Sequence, residues 1–190
     1  MPAARRTRPF RGGPTGPTPG SPADATPDAD PESVARGLVL RKLSAAPRSR
    51  AQLAADLAAR AVPDDVADAV LDRFTEVGLV DDAAFAESWV RSRHTGRGLS
   101  RRALSHELRQ KGVDDETARA AVDAIGPDDE AAAAAALVAK RLPATRRLPP
   151  EARVRRLAGM LARKGYPSGL ALRVVRDAVA ADSGGAEPTW

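Results

Sequence analysis

A repeated helix ending is the sequence feature that most limits what this chain can fold into. Two leucines four residues apart are followed by a basic residue, a small residue, an apolar residue and a residue that starts helices. The three copies lie at 53–63, 104–114 and 157–167 and are spaced 51 and then 53 residues apart. Each copy is typical of the last turn of an amphipathic helix, where the macrodipole favours a cation and a small residue suits the turn. The copies therefore predict tandem repeats of one helical unit that stack on each other.

Apolar residues between the copies follow a helical period. Val66, Val70, Phe74 and Val77 fall at i, i+4, i+8 and i+11, and no stretch alternates as a strand would. Glycine, proline and capping residues divide the region into nine predicted helices, at 33–45, 49–60, 63–77, 82–95, 100–111, 115–125, 129–141, 150–164 and 168–181. The prediction is an all-α fold of three tandem three-helix (helix-turn-helix-like) repeats in an elongated array, at 32–80, 81–127 and 128–181.

The two ends of the chain have a different composition. Residues 1–31 hold eight of the sixteen prolines, and Phe10 is almost the only bulky apolar side chain among them. Such a segment cannot bury enough apolar surface to offset the entropy lost on ordering. The sequence therefore predicts a disordered Pro/Gly/Arg arm at 1–31 and a disordered tail at 182–190.

Composition also excludes several classes of protein. The chain has no cysteine, which excludes a disulfide framework, a Cys-ligated metal and a cysteine nucleophile. Its longest apolar run begins with the alanines at 131–136 and is much shorter than the roughly 18 residues of a membrane span. The arginine-bearing N-terminus lacks the apolar segment of a secretory signal. We therefore expect a cytoplasmic protein that does not bind a membrane and holds no metal or cofactor.

Charge follows the same rhythm as the repeats. The formal net charge is +5, but 32–60, 91–111 and 140–164 carry +4, +6 and +8, whereas 61–87 and 112–130 carry −7 and −6. Such blocks arise when opposite charges pair between neighbouring helices. They also arise when the basic helices form one elongated cationic strip, which would suit a polyanionic partner. Both interpretations are open from the sequence.

The second repeat carries the most specific motifs. Residues 78–93 contain Gly-Leu-Val-Asp-Asp, then Phe-Ala-x2-Trp-Val and an arginine; Gly98 follows, and 107–113 contain Glu-Leu-x2-Lys-Gly-Val. This order resembles the RecX family of recombination regulators, whose members are also built of tandem three-helix repeats. Val80, between Leu79 and the two aspartates, is a departure from the family pattern. The resemblance covers about residues 33–181.

The resemblance implies a function and a partner. RecX proteins bind RecA and its filament on DNA and inhibit its ATPase, strand-exchange and coprotease activities in recombination and DNA repair. By this resemblance we expect a regulator that is not an enzyme, is a monomer, has no small-molecule substrate and binds DNA directly only weakly. The alternative is a stand-alone helical DNA-binding module or transcriptional regulator, because three-helix units resemble helix-turn-helix domains.

Basic side chains of the second and third repeats are the predicted contacts to the partner or to DNA. For each one singly, a solvated surface position is the competing interpretation. The candidates are Arg91, Arg93, Arg97, Arg101, Arg102, Arg109, Lys111, Arg146, Arg147, Arg153, Arg155, Arg156, Arg163 and Lys164.

Four residues of the motif have a structural interpretation beside a functional one. Asp81 and Asp82 form a carboxylate pair of the kind found in catalytic or metal sites, but at this position they fit a helix N-cap and a first-turn acid better. Phe85 and Trp89 lie four apart on one helical face, which favours core packing over a base-stacking platform.

The remaining motif residues give no sign of catalysis. Leu104 and Leu108 are predicted to point inward, with Gly112 in the turn after their helix. Glu107 is interpreted either as part of an intramolecular pair or as a partner contact. The two histidines, His94 and His106, belong to no ligand or triad spacing. No catalytic, metal or cofactor-binding residue is assigned.

Overall fold

The computed structural model describes residues 30–184, which are almost entirely helical. Its α-helices are α1 (Pro31–Ala45), α2 (Arg50–Ala58), α3 (Asp64–Glu76), α4 (Asp82–Arg97), α5 (Arg101–Gln110), α6 (Asp115–Asp123), α7 (Pro127–Arg141), α8 (Pro150–Arg163) and α9 (Ser168–Gly184). A 3₁₀ turn at Pro143–Thr145 separates α7 from α8. The described residues contain no β-strand, so the all-α prediction is confirmed, and each predicted helix boundary lies within three residues of the observed one.

Three separate hydrophobic cores follow the three repeats. One core is built by α1–α3, the next by α4–α6 and the third by α7–α9. The repeated leucine pairs form their centres and are almost completely buried: Leu53, Leu57, Leu104, Leu108, Leu157 and Leu161. Burying one such side chain stabilises the fold by about 2 kcal/mol, so the two leucines of each repeat are a major part of its small core.

Local capping explains where the helices begin and end. The Asp81 carboxylate accepts the Ala84 backbone N–H at 2.9 Å, which caps α4. Ser49 and Gln52 form a reciprocal capping box at the start of α2. After α5 and α8 the chain turns through Gly112 and Gly165 at φ of +75° and +86°, a region that glycine enters without steric cost.

The first joint, between repeats 1 and 2, brings the C-terminal end of α5 to the N-terminal end of α2. The Ser49 hydroxyl donates to the backbone carbonyl of Lys111 at 2.5 Å. The Arg50 N–H donates to a carboxylate oxygen of Asp82 at 2.7 Å. The Ser49 hydroxyl and the Arg50 N–H, both at the start of α2, thus have hydrogen-bond acceptors in the following repeat.

The second joint, between repeats 2 and 3, repeats this arrangement with α8 and α5. The Ser100 N–H donates to the Lys164 carbonyl at 3.1 Å, and the Arg101 N–H donates to a carboxylate oxygen of Glu130 at 2.9 Å. The Tyr166 hydroxyl donates to the Gly98 carbonyl at 3.2 Å. Burial, together with the Glu130 charge, raises the pKa of Tyr166 to about 12, so the hydroxyl keeps its proton. In both joints the negative end of one helix dipole meets the positive end of another, which is favourable.

The chain is ordered further at both ends than the sequence indicates. Asp30 caps α1 and Pro31 occupies its first turn, so the helix starts before residue 33. α9 runs to Gly184, and Asp182 within it bonds to two arginines, so residues 182–184 of the predicted tail are helical. The rest of the predicted arm, 1–29, and of the tail, 185–190, lies outside the described residues.

Candidate functional site

The fourteen candidate basic residues divide into two equal groups. Half have an intramolecular partner: Arg93, Arg101, Arg109, Lys111, Arg146, Arg153 and Lys164. The other half are exposed and form no ion pair with any residue of 30–184: Arg91, Arg97, Arg102, Arg147, Arg155, Arg156 and Arg163. Pairing within the protein thus accounts for the first group, and a cationic surface for a polyanionic partner stays a prediction for the second.

Trp89 is the centre of a cluster between α4 and α5. The Arg93 guanidinium and the Lys111 ammonium lie 4.1 Å and 4.0 Å from its ring centroid, and its indole N–H donates to Glu107 at 2.8 Å. Phe85 stacks beside it, with the ring centroids 5.9 Å apart. Glu107 is therefore part of an intramolecular cluster. The indole is held by two cations and a carboxylate and is not a free stacking platform for a base.

Pairs between neighbouring helices account for other members of the first group. Arg109 lies 3.7 Å from Asp115, and Arg101 pairs with Asp123, so α5 and α6 attract each other. These exposed pairs add little stability. Their effect here is to remove two cations from the group available to an external partner.

Arg153 does not lie on the surface. Its side chain is buried, and its guanidinium bonds to Asp182 at 2.5 Å and to the Thr145 hydroxyl at 3.4 Å. Arg146 binds the same carboxylate at 2.8 Å, and the hydrogen bonds from Arg146 and Arg153 hold the pKa of Asp182 below its ordinary value. The sequence contains a signal for this position: Arg153 precedes Leu157 by four residues and shares its inward face. Arg153 is therefore not accessible to a partner or to DNA.

A groove at the second joint contains two cations that the sequence reasoning missed. This junction groove has a volume of about 790 Å³ and is bounded by the C-terminal parts of α4 and α7 and by α8. Lys140 and Arg141 line it beside Arg97 and Lys164. Beyond Arg141 it continues into a smaller space of about 250 Å³ along α8. The signal was present in the +8 block at 140–164, whose first two residues were not carried into the candidate list.

Each of the two histidines bonds to a group close to it in sequence. His94 donates from Nδ1 to the Leu99 carbonyl at 2.9 Å, and His106 bonds to the neighbouring Gln110 side chain at 3.0 Å. Across 30–184, no three histidine or acidic side chains are close enough together to bind a metal ion. The same part of the chain contains no helix long and apolar enough to cross a membrane.

Family comparison matches all three repeats. The models for the first, second and third three-helix domains of RecX match residues 35–74, 81–122 and 128–175, in that order. The chain belongs to the RecX family. Among relatives named regulatory protein RecX, that of Thermobifida fusca is 58% identical over 163 residues, covering 86% of this chain and 88% of the relative. That of Streptomyces coelicolor is 54% identical, covering 80% and 81%.

Solved RecX structures share the fold. The crystal structure of RecX from Lactobacillus salivarius has a TM-score of 0.72 at 19% identity, covering 78% of this chain and 97% of that one. A second, titled regulatory protein RecX, has a TM-score of 0.69 at 25% identity, covering 78% and 73%. The similarity of fold thus extends over all three repeats, and this RecX chain belongs to a family of regulatory proteins.

Proposed function

We propose that this RecX chain is a non-enzymatic regulator that binds RecA and RecA–DNA filaments. In this proposal it inhibits the recombinase, ATPase and coprotease activities of RecA during recombination and repair, and so acts in the cytoplasm. The observation that carries the proposal is the ordered match of all three RecX domains, at 35–74, 81–122 and 128–175.

The unpaired arginines support a contact with a nucleoprotein filament. Arg102 on α5 and Arg156 and Arg163 on α8 are exposed and have no acidic partner in the described chain. A filament of protein on DNA presents phosphate charges, and its attraction to arginines is long-ranged at low salt.

Two features argue against the stand-alone DNA-binding alternative. A helix-turn-helix domain inserts the last helix of its motif into the major groove, with its first turn on the bases. In repeats 1 and 2 this position is occupied by α3 and α6, whose first turns carry Asp64, Asp65, Asp115 and Glu116, whereas the first turn of α9 in repeat 3 carries no acidic residue. The starts of α2 and α5 are also unavailable, because Ser49 and Ser100 are completely buried in the joints.

The deciding experiment titrates the protein into RecA bound to single-stranded DNA and follows ATP hydrolysis and filament length. We expect hydrolysis to fall. Arg102→Glu with Arg156→Glu should raise the half-inhibiting concentration about tenfold, because two attractions become repulsions. Arg173→Glu with Arg176→Glu, on the exposed face of α9, makes the same charge change and is the control.

Each outcome has a separate meaning. Unchanged hydrolysis and filament length at saturating wild-type protein would refute the proposed regulation. Normal inhibition by the Arg102/Arg156 variant would place the contact elsewhere on the protein. Tight DNA binding without RecA, with a steep salt dependence, would favour the stand-alone module.

A further inference from the structure

The junction groove concentrates positive charge that nothing in the described chain neutralises. Six cations line it and its continuation: Arg97, Lys140, Arg141, Arg156, Arg163 and Lys164. No acidic side chain lines either space, and none of the six belongs to an ion pair within 30–184. The Lys164 ammonium bonds only to the Arg97 carbonyl.

Helix dipoles explain part of this arrangement but do not cancel it. The C-terminal ends of α4, α7 and α8 converge on the groove, and cations are favoured at such ends. Each helix end contributes about −0.5 elementary charge, so the six side-chain charges exceed the three dipoles about fourfold. The groove therefore retains a strong preference for anionic groups.

The floor of the groove favours apolar anchors over a bare phosphate strand. It is formed by small and aliphatic side chains: Leu99, Ala133, Ala136, Leu137 and Met160. No Phe, Tyr or Trp lines it, and its one imidazole, that of His94, is hydrogen-bonded to the Leu99 carbonyl, so a run of unstacked bases would find no row of rings to stack on. A phosphodiester backbone would satisfy the cations and leave this floor uncovered, whereas an amphipathic helix would satisfy both.

The spacing of the cations fits a helix as well. Arg156 and Arg163 are seven residues apart on α8, a rise of about 10.5 Å along the helix axis. Carboxylates at i and i+7 on a helix lying alongside have the same separation. The N-terminal arm of this chain does not supply such a segment, because residues 1–29 carry a net charge of +2.

We propose that the junction groove binds an acidic amphipathic helix of a partner protein, with leucine-type anchors on the alanine floor and carboxylates on the arginine and lysine walls. The proposal goes beyond the regulatory function above, because it assigns a recognition chemistry and a location that hold for any protein carrying such a helix.

The test uses the full chain and three fluorescently labelled probes at physiological ionic strength. The probes are a helix-forming peptide of about 18 residues with leucines on one face and glutamates at i and i+7, a scrambled peptide of equal composition, and an oligothymidylate of similar length. Fluorescence anisotropy should show that the amphipathic peptide binds at least about tenfold more tightly than the scrambled one, because only the former presents anchors and charges together.

Two groove variants separate the contribution of the cationic side chains to peptide binding from that of the apolar floor. Arg141→Glu with Arg156→Glu should weaken peptide binding about tenfold or more, whereas Arg173→Glu with Arg176→Glu on α9 should leave it unchanged. Ala136→Gln adds bulk to the exposed floor without changing charge, so it should weaken the peptide and leave any oligothymidylate binding unchanged.

Three results would overturn the proposal. Equal binding of the amphipathic and scrambled peptides would mean that only net charge is recognised. Oligothymidylate binding that is lost in the Arg141/Arg156 variant, without peptide binding, would assign the groove to nucleic acid. Peptide binding unaffected by either groove variant would place the site elsewhere. Circular dichroism of each variant establishes that the helices are retained.

Discussion

At the scale of single residues, two things explain why glycine stands after α5 and α8: the backbone conformation there and close contact with the preceding repeat. A Cβ on Gly165 would lie 2.6 Å from the Ser100 hydroxyl and 2.7 Å from the Ala103 Cβ, and one on Gly112 would overlap the Ala51 Cβ. The equivalent residue of repeat 1 is Ala61, which also has a positive φ, of 56°. Ala61 is exposed, and no repeat within residues 30–184 packs on it, so a methyl group is tolerated there. Glycine is thus required where the turn forms a joint.

Three Gly→Ala substitutions separate these two effects. Gly96 lies in a helix, and a Cβ there would have open space around it, so Gly96→Ala should stabilise the protein by up to about 1 kcal/mol. Gly78 has a φ of +72°, and a Cβ there would have no neighbour within 4 Å. Gly78→Ala should therefore lower the free energy of unfolding by about 1 kcal/mol through backbone strain alone. Gly112→Ala combines the strain with the overlap on Ala51 and should cost clearly more. Urea unfolding midpoints measure all three, and equal losses for Gly78→Ala and Gly112→Ala would show that the joint yields to a methyl group.

Arginine positions show where prediction from sequence stops at this scale. The leucines of the repeated ending were placed inward correctly, because a 3.6-residue period specifies a buried face. Arg153 was placed outward although it occupies the same face. Its burial depends on Asp182, 29 residues later, and no local pattern links the two. The contact of Lys111 with Trp89 was missed for the same reason, since it depends on how α5 crosses α4. Arg93 lies four residues after Trp89 on α4, so its contact with the ring has a local signal that the sequence reasoning did not use.

At the scale of elements, two Asp-Asp pairs stand at helix starts, and the second aspartate has a different role in each. Asp81 and Asp114 each cap their own helix through a backbone N–H at 2.9 Å. Asp82 then accepts the Arg50 N–H of the preceding repeat, whereas Asp115 lies only near the exposed Arg109. The same dipeptide is thus part of a joint in one place and a simple helix start in the other.

Asp82→Ala and Asp115→Ala compare these two positions directly. Asp82→Ala should cost about 1–2 kcal/mol, because the Arg50 N–H loses a charged acceptor at the first joint. Asp115→Ala should cost only a few tenths of a kcal/mol. Hydrogen exchange should show faster opening of α1–α3 than of α7–α9 in Asp82→Ala alone. A uniform change across all three repeats, or equal effects of the two variants, would contradict the assigned role of Asp82.

Helix boundaries were predictable and joints were not. The boundaries depend on caps, glycines and prolines within a few residues, and these signals are local. The joints depend on hydrogen bonds between residues 29 to 68 positions apart, such as Arg101 to Glu130 and Tyr166 to Gly98. The junction groove lies at the second joint, so its cations could be counted from the sequence but their convergence could not be placed.

At the scale of the whole molecule, the end of repeat 3 is held by one carboxylate. Asp182 near the end of α9 binds Arg146, beside the 3₁₀ turn, and Arg153 on α8. These hydrogen bonds lower its pKa, so the folded state binds the proton of Asp182 less readily than the unfolded chain does. Its contribution is complete above the ordinary aspartate pKa of about 3.9 and is lost as the pH falls below that value.

Asp182→Asn should therefore reveal an acid-sensitive end of the array. At pH 7 the variant should unfold at a lower temperature than the wild type, and the difference should shrink as the pH is lowered from about 4 toward 2. Asp177→Asn, which removes the same charge from an exposed position without an ion pair in the described chain, is the control. Calorimetric melting curves at several pH values measure the effect, and a difference independent of pH would rule out the ionised carboxylate as its source.

The joints also give the chain a direction of assembly. At each joint the backbone N–H at the start of a second helix, that of Arg50 or Arg101, donates to a carboxylate of the repeat that follows in sequence. During synthesis each repeat leaves the ribosome with these donors bound to water, and the next repeat replaces that water once it has folded. The order of translation is thus the order in which the joints close, and each newly made repeat completes the one before it.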